Sequence, residues 1–438
     1  MGTEQAGTGR RHSRVVGDLT LESGRDLPGV RMAYETWGRL NDARDNAVLV
    51  LHALTGDSHV VGGTGPDFPT AGWWPGLIGP GRPLDTDRWF VVAPNILGGC
   101  RGTTGPSSPG PDGRPWGSEF PAVTVRDQVR AEALLADALG IRTFAAVVGG
   151  SMGGMRALEW AVTLPGRVRR SVVIAATAAA SADQIAWATP QLHAIRSDPH
   201  FHGGDYYPGP GPKAGLEVAR QIAHATYRSG VELETRFGRD PQPGEQPGAG
   251  GRYAVQSYLE HHGRKLVRRF DANSYLVLTE AMNGHDVGRG RGGVDAALRR
   301  ITAELTVAVV DSDRLYTPAE GARIATSPAC RELATISSPY GHDGFLVETD
   351  QVFSVIERAL REPADRAVPA AGEVPTEQEA TEQEVFTERE VPTERGEPRL
   401  LPAAETAQQR AQPRRVEGPA RLRESPAPVR RHAACGLW

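Results

Sequence analysis

Cysteine is scarce in this 438-residue chain: Cys100, Cys330 and Cys435 are the only three, widely spaced and odd in number. No disulfide framework and no Cys-x-x-Cys metal pair can be assembled from them, which suits a reducing compartment. Long apolar runs are missing as well, and none approaches the roughly 20 residues that a membrane-spanning helix needs. The opening stretch, Met1 to Arg14, is polar and lacks the apolar core of a secretory leader. Positive charge is not concentrated either. The formal net charge is -4 and no basic stripe occurs in the first 360 residues, which argues against nucleic acid and anionic membrane as main partners. With 39% hydrophobic and 23% charged residues, the expectation is a soluble, cytoplasmic, globular protein.

What the chain does have is alternation. Val30 to Trp37 reads as a strand, and Ala47-Val-Leu-Val-Leu-His52 is a continuous apolar run of the kind buried in a parallel sheet. Further strands are expected at Trp89 to Ala93, Phe144 to Val148, Val172 to Ala176, Thr306 to Val310 and Leu333 to Ile336. Thr124 with Asp127 forms a capping box that opens a helix running to about Leu139, where Gly140 ends it. A second helical run extends from Met155 to Leu164 and stops at Pro165. Strand–helix–strand alternation predicts an α/β fold: a mostly parallel central sheet with helices on both faces.

Between about Ala178 and Arg300 this rhythm breaks into a long, mostly helical stretch carrying Trp187, Tyr206, Tyr207, Tyr227 and Tyr258. It reads as a helical lid inserted over the C-terminal edge of the sheet. The expected organisation is core over 15–177, lid over 178–300, core again over 301–363, and a tail over 364–438. The tail repeats Val-Pro-Thr-Glu at Val374 and Val391, is rich in Glu, Pro, Gln and Ala, and turns basic near its end. So little apolar bulk cannot offset chain entropy, and disorder is expected there.

Gly149-Gly150-Ser151-Met152-Gly153 is a Gly-x-Ser-x-Gly that follows an apolar strand directly and precedes a helix. With 52 glycines in the chain, the motif alone is weak; its position is what a nucleophile elbow requires. The sharp turn lifts the Ser151 hydroxyl out of the backbone and aims the Met152 amide and the helix N-terminus at one point. In this architecture an acid and then a histidine should follow at later strand ends. Asp311-Ser-Asp313 stands after the Thr306 to Val310 strand, and either aspartate could be the acid. His342, in Tyr340-Gly-His-Asp-Gly-Phe345, alone among the twelve histidines lies in a Gly-flanked loop after the last strand, which selects it as base. The loop His52-Ala-Leu-Thr-Gly-Asp-Ser-His59 offers the Leu54 amide as second oxyanion donor. His52, His59, His200, His202, His261 and His262 read as hydrogen-bonded residues rather than metal ligands, because no third ligand stands at metal spacing. The Gly-rich run 98–105 is not a P-loop, since no Gly-Lys-Ser/Thr follows.

Several of these segments together resemble the homoserine O-acetyltransferases. They are 52–59, Asn95-Ile-Leu-Gly-Gly-Cys100 with Gly105-Pro106, Val148 to Met155, Gly215-Leu-Glu-Val-Ala-Arg220, Ala223-His-Ala-Thr-Tyr227, Tyr253 to Glu260, and Tyr340 to Leu346. The match runs in order from about residue 15 to residue 360. The resemblance implies an α/β-hydrolase-fold acyltransferase of methionine biosynthesis that needs no cofactor, only acetyl-CoA as co-substrate and L-homoserine as acceptor. It implies Asp313 as the acid, with Asp311 as fallback because the connection before it looks short. It also implies Arg220 and Asp343 as the clamp for the amino acid, and a homodimer formed through the lid. A succinyl donor, a serine acceptor or a plain esterase are the alternatives on the same fold.

Overall fold

Eight strands hydrogen-bond into one sheet in the described part of the chain, residues 10–66 and 68–361 of the computed structural model. The expected tail, 364–438, lies outside the described residues. The strands are β1 (Arg10–Thr20), β2 (Asp26–Trp37), β3 (Ala47–Leu51), β4 (Phe90–Pro94), β5 (Ala146–Gly150), β6 (Arg170–Ile174), β7 (Glu304–Val310) and β8 (Cys330–Ile336). Their spatial order is β1-β2-β4-β3-β5-β6-β7-β8. β2 pairs antiparallel with both β1 and β4, and every other pairing is parallel. The sheet is therefore mostly parallel, with the order reversing around β3.

The central strands are apolar on both sides because both faces are covered. Along β3, Ala47, Leu49 and Leu51 enter one core while Val48 and Val50 enter the other. The first core holds α1 (Val125–Ala138) and α2 (Met152–Thr163), with Val129, Leu135, Leu158 and Trp160 fully buried. The second holds the C-terminal helix 349–361 through Val352, Val355, Ile356 and Leu360, together with Trp73 and Trp74. The capping box of α1 is present: Thr124 accepts from the Asp127 amide, and Asp127 from the Thr124 amide.

Between β6 and β7 the chain forms α3 (Ala182–Arg196), α4 (Lys213–Tyr227), α5 (Gly230–Phe237), α6 (Ala254–Val267) and α7 (Ala272–Asn283). α3, α4, α6 and α7 share a third core, where Leu192, Ile195, Leu216, Leu266, Tyr275 and Leu278 pack on Leu54, Ile96 and Met152. The insertion thus rests directly on the strand ends that carry the candidate site. The last part of 178–300 behaves differently: Val287, Val294, Ala297 and Leu298 pack into the first sheet core.

Two elements differ from expectation. No strand is expected over Arg10–Thr20, whose first residues belong to the polar opening Met1 to Arg14; β1 there is an edge strand, mostly exposed, that pairs with β2. Helix α2 starts at Met152 rather than Met155, so strand, turn and helix follow with no spacer around Ser151.

Candidate active site

The turn between β5 and α2 sets the geometry. Ser151 sits at φ 57° and ψ -125°, a left-handed conformation that a side-chain-bearing residue rarely adopts. Close packing around it requires glycine. A Cβ on Gly149 would stand 2.1 Å from the Gly153 carbonyl oxygen, and one on Gly153 would stand 2.1 Å from that of Leu51. A side chain at Gly149 would push α2 off the end of β5, and one at Gly153 would push it off β3.

His342 Nε2 lies 2.8 Å from Ser151 Oγ, and His342 Nδ1 donates to Asp313 Oδ2 at 2.6 Å. All three residues are buried. A carboxylate can only accept, so the proton rests on Nδ1 and leaves Nε2 free to take the serine proton. The other oxygen of Asp313 accepts from the Leu315 and Tyr316 amides at 2.8 and 2.9 Å, which holds the carboxylate in place. Asp311 points elsewhere: it is exposed and accepts from Ser337 Oγ at 2.9 Å and the Ser338 amide at 3.0 Å. It ties the two loops together and does not touch the imidazole. The ring of His342 is itself wedged among Tyr316, Phe345 and Tyr227, with centroids 4.9, 5.2 and 5.7 Å away.

Leu54 and Met152 are buried beside Ser151, and among the described residues neither backbone amide donates to a protein acceptor. Two free amides next to a nucleophile are what a developing oxyanion needs. The loop bearing Leu54 is fastened at several points. The Ile96 amide donates to His52 Nε2 at 3.2 Å, and His52 Nδ1 donates to the Ala53 carbonyl at 2.7 Å. Burial and the nearby Arg156 guanidinium push His52 down to about 3, so its ring is neutral. Arg156, fully buried, hydrogen-bonds both Glu132 and the His52 carbonyl. His59 bonds Glu35 through Nδ1 at 3.0 Å and the Gly63 carbonyl through Nε2 at 3.0 Å. Both partners are acceptors, so that ring carries both protons; hydrogen bonds to them raise it above the ordinary histidine value despite burial.

Two cavities meet at Leu54, Ser151 and Tyr227. One, of about 520 Å³ and partly open to solvent, runs beneath the inserted helices past Gln184, Trp187, Gln191, Thr279 and Asn283. The other, of about 370 Å³, holds Arg220, His342 and Asp343. Arg220 is 3% exposed and makes no hydrogen bond or ion pair with any described residue; its guanidinium lies 5.4 Å from the Tyr227 ring. Asp343 is 7% exposed, and burial raises its carboxyl above the ordinary value, while Arg228, Arg220 and His342 pull the other way. Sequence reasoning missed Arg228, whose Nε stands 3.1 Å from Asp343 Oδ2. No motif marks it, because its partner comes from a loop more than a hundred residues on.

The corner after α4 is docked onto the loops that carry Asp313 and His342. Arg314 hydrogen-bonds the Ala225 carbonyl, and Ser229 Oγ hydrogen-bonds the Pro339 carbonyl. Among the described residues no group of three or more His, Cys, Asp or Glu is arranged to hold a metal, and no helix is long and apolar enough to cross a membrane.

The chain belongs to the alpha/beta hydrolase fold family, whose model matches residues 46–349. Solved structures agree. The crystal structure of homoserine O-acetyltransferase from Bacillus anthracis superposes with a TM-score of 0.75 at 26% identity, covering 82% of this chain and 99% of that one. An esterase crystal structure gives 0.74, also at 26%, over 81% of this chain and 100% of the other. Closer relatives in sequence narrow the class. A homoserine O-acetyltransferase from Thermobifida fusca is 64% identical over 356 residues, 81% of this chain and 94% of the relative. One from Mycobacterium tuberculosis is 56% identical over 347 residues, 79% of this chain and 92% of the relative. Within the fold, the chain is a member of the homoserine O-acetyltransferase family.

Proposed function

We propose that this protein transfers an acetyl group from acetyl-CoA to the hydroxyl of L-homoserine by way of an acyl-serine, a step of methionine biosynthesis. Ser151 attacks the thioester carbonyl as His342 takes its proton, with Asp313 steadying the imidazolium. The Leu54 and Met152 amides hold the oxyanion, and loss of such a donor typically costs about 3 to 4 kcal/mol. His342 hands its proton to the departing thiolate of CoA. It then deprotonates the homoserine hydroxyl, which attacks the acyl-serine; the adduct collapses to release the ester as His342 returns the proton to Ser151 Oγ. The larger, lid-covered cavity suits the thioester arm; the smaller one suits the amino acid, its carboxylate on Arg220 and its ammonium on Asp343. No cofactor enters this scheme. A homodimer formed through the lid and a cytoplasmic location complete the proposal.

The observation that carries the reading is the pair Arg220 and Asp343: two buried groups of opposite charge in one cavity with the nucleophile, neither hydrogen-bonded to a described residue. A general esterase has no need of a zwitterion clamp. The test is thiol release by the purified protein from acetyl-CoA or succinyl-CoA, each against L-homoserine and L-serine, with the ester identified. Turnover highest with acetyl-CoA and L-homoserine is expected. Thiol release indifferent to the amino acid would make the protein a hydrolase, and preference for succinyl-CoA or serine would reassign the substrates.

A further inference from the structure

Asp343 raises a problem of its own. A carboxyl buried this deeply drifts toward its neutral form, and a neutral acid attracts no ammonium. Yet a group that hydrogen-bonded the carboxylate directly would occupy the positions the substrate needs. Arg228 meets both conditions. It lies just past the end of α4, in extended conformation at φ -97° and ψ 145°. Its Nε stands 3.1 Å from Asp343 Oδ2 as an ion pair, but the N–H is not aimed at an acceptor and makes no hydrogen bond. Among the described residues, neither oxygen of Asp343 accepts a side-chain hydrogen bond.

We infer that Arg228 is a positioning residue for the amino-acid substrate: from behind, it keeps the Asp343 carboxylate charged and turned to the cavity while leaving its hydrogen-bonding capacity to the incoming ammonium. The inference rests on the proposed transfer to an amino-acid acceptor.

Arg228 is anchored where it cannot enter the cavity itself. Its Nη1 lies 3.7 Å from Glu232 Oε1, and its guanidinium lies 5.7 Å from the Tyr340 ring. It lines neither cavity, whereas Arg220 lines the smaller one. The two arginines therefore divide the work: Arg220 lines the substrate cavity, and Arg228 acts on it only through Asp343. The charged and titratable groups around the carboxylate are Arg228, Arg220, His342, Asp313, Tyr227 and Tyr258. Those around Arg228 are Asp343, Glu232, Tyr258, Tyr340 and His224, with Arg236 balancing Glu232 at 3.4 Å. Removing Arg228 takes away the guanidinium that stands 3.1 Å from the carboxylate and opposes the effect of burial, so protonation of Asp343 moves to higher pH.

The experiment compares wild type, Arg228→Gln and Arg228→Lys in two assays: the burst of thiol on mixing with acetyl-CoA alone, and KM and kcat for L-homoserine as a function of pH. Labelling of Ser151 by a fluorophosphonate certifies each fold. For Arg228→Gln we expect KM for L-homoserine to rise at least about tenfold, with the burst rate changed less than about twofold. The rise in KM on acidification should begin at higher pH, and Arg228→Lys should recover part of the loss. An unchanged KM, an equal loss in burst and KM, or a lysine variant no better than glutamine would each overturn the inference. If wild type itself shows no homoserine-dependent turnover, the proposed function fails instead.

Discussion

Replacing Asp313 and Asp311 one at a time separates two carboxylates that stand two residues apart. Asp313→Ala removes the acceptor at 2.6 Å from His342 Nδ1 and leaves a buried N–H without a partner and an imidazolium without a counter-charge. Loss of the acid in a Ser-His-Asp array costs about 10³- to 10⁴-fold in turnover, or ~4 to 5.5 kcal/mol on the barrier at about 1.36 kcal/mol per factor of ten. The imidazole would remain caged by Tyr316 and Phe345, so the loss should appear in kcat more than in folding. Asp311→Ala removes two hydrogen bonds, to Ser337 and Ser338, at an exposed position. At about 0.5 to 1.5 kcal/mol each, they affect stability, and turnover should stay within about threefold of wild type. The assay is thiol release from acetyl-CoA with L-homoserine, beside a denaturant melt of each variant. Near-normal turnover in Asp313→Ala, or a thousandfold loss in Asp311→Ala, would refute the reasoning.

Arg220→Ala should raise KM for L-homoserine about 10- to 100-fold, because a charge-assisted contact of about 1.5 to 3 kcal/mol is lost; an unchanged KM would remove Arg220 from the clamp. Glu132→Gln leaves the fully buried Arg156 without a counter-charge and should cost about 3 to 5 kcal/mol in urea denaturation; a change below about 1 kcal/mol would contradict that. The His59–Glu35 pair gives a pH signature. The folded-state value of His59 is raised, so its contribution is complete below the ordinary value of about 6.5 and is lost as pH rises through the raised value. The Tm gap between wild type and His59→Gln should therefore narrow as pH rises above about 6.5; a gap independent of pH would refute it.

Much of this was legible in the sequence because the signals were local. A strand such as 47–51 is apolar throughout, since both faces of a central parallel strand are covered, and the elbow glycines adjoin the strand they terminate. β1 was invisible for the opposite reason: Arg10–Thr20 is largely solvent-facing, and its pairing with β2 is tertiary. The choice between Asp311 and Asp313 was open because both follow β7 within one turn, and only the direction of each side chain separates them. Arg228 carried no pattern at all. Its meaning comes from the docking of the α4 corner onto the His342 loop, which no local spacing encodes.

The most direct test of the account is to mix the protein with acetyl-CoA in the absence of amino acid, quench, and map the acetyl group by mass spectrometry. An acetyl ester on the peptide containing Ser151 is predicted, absent in Ser151→Ala and discharged as O-acetyl-L-homoserine when L-homoserine is added. Homoserine-dependent turnover with no acetyl group on Ser151, or an acetyl-enzyme that L-homoserine cannot discharge, would contradict it.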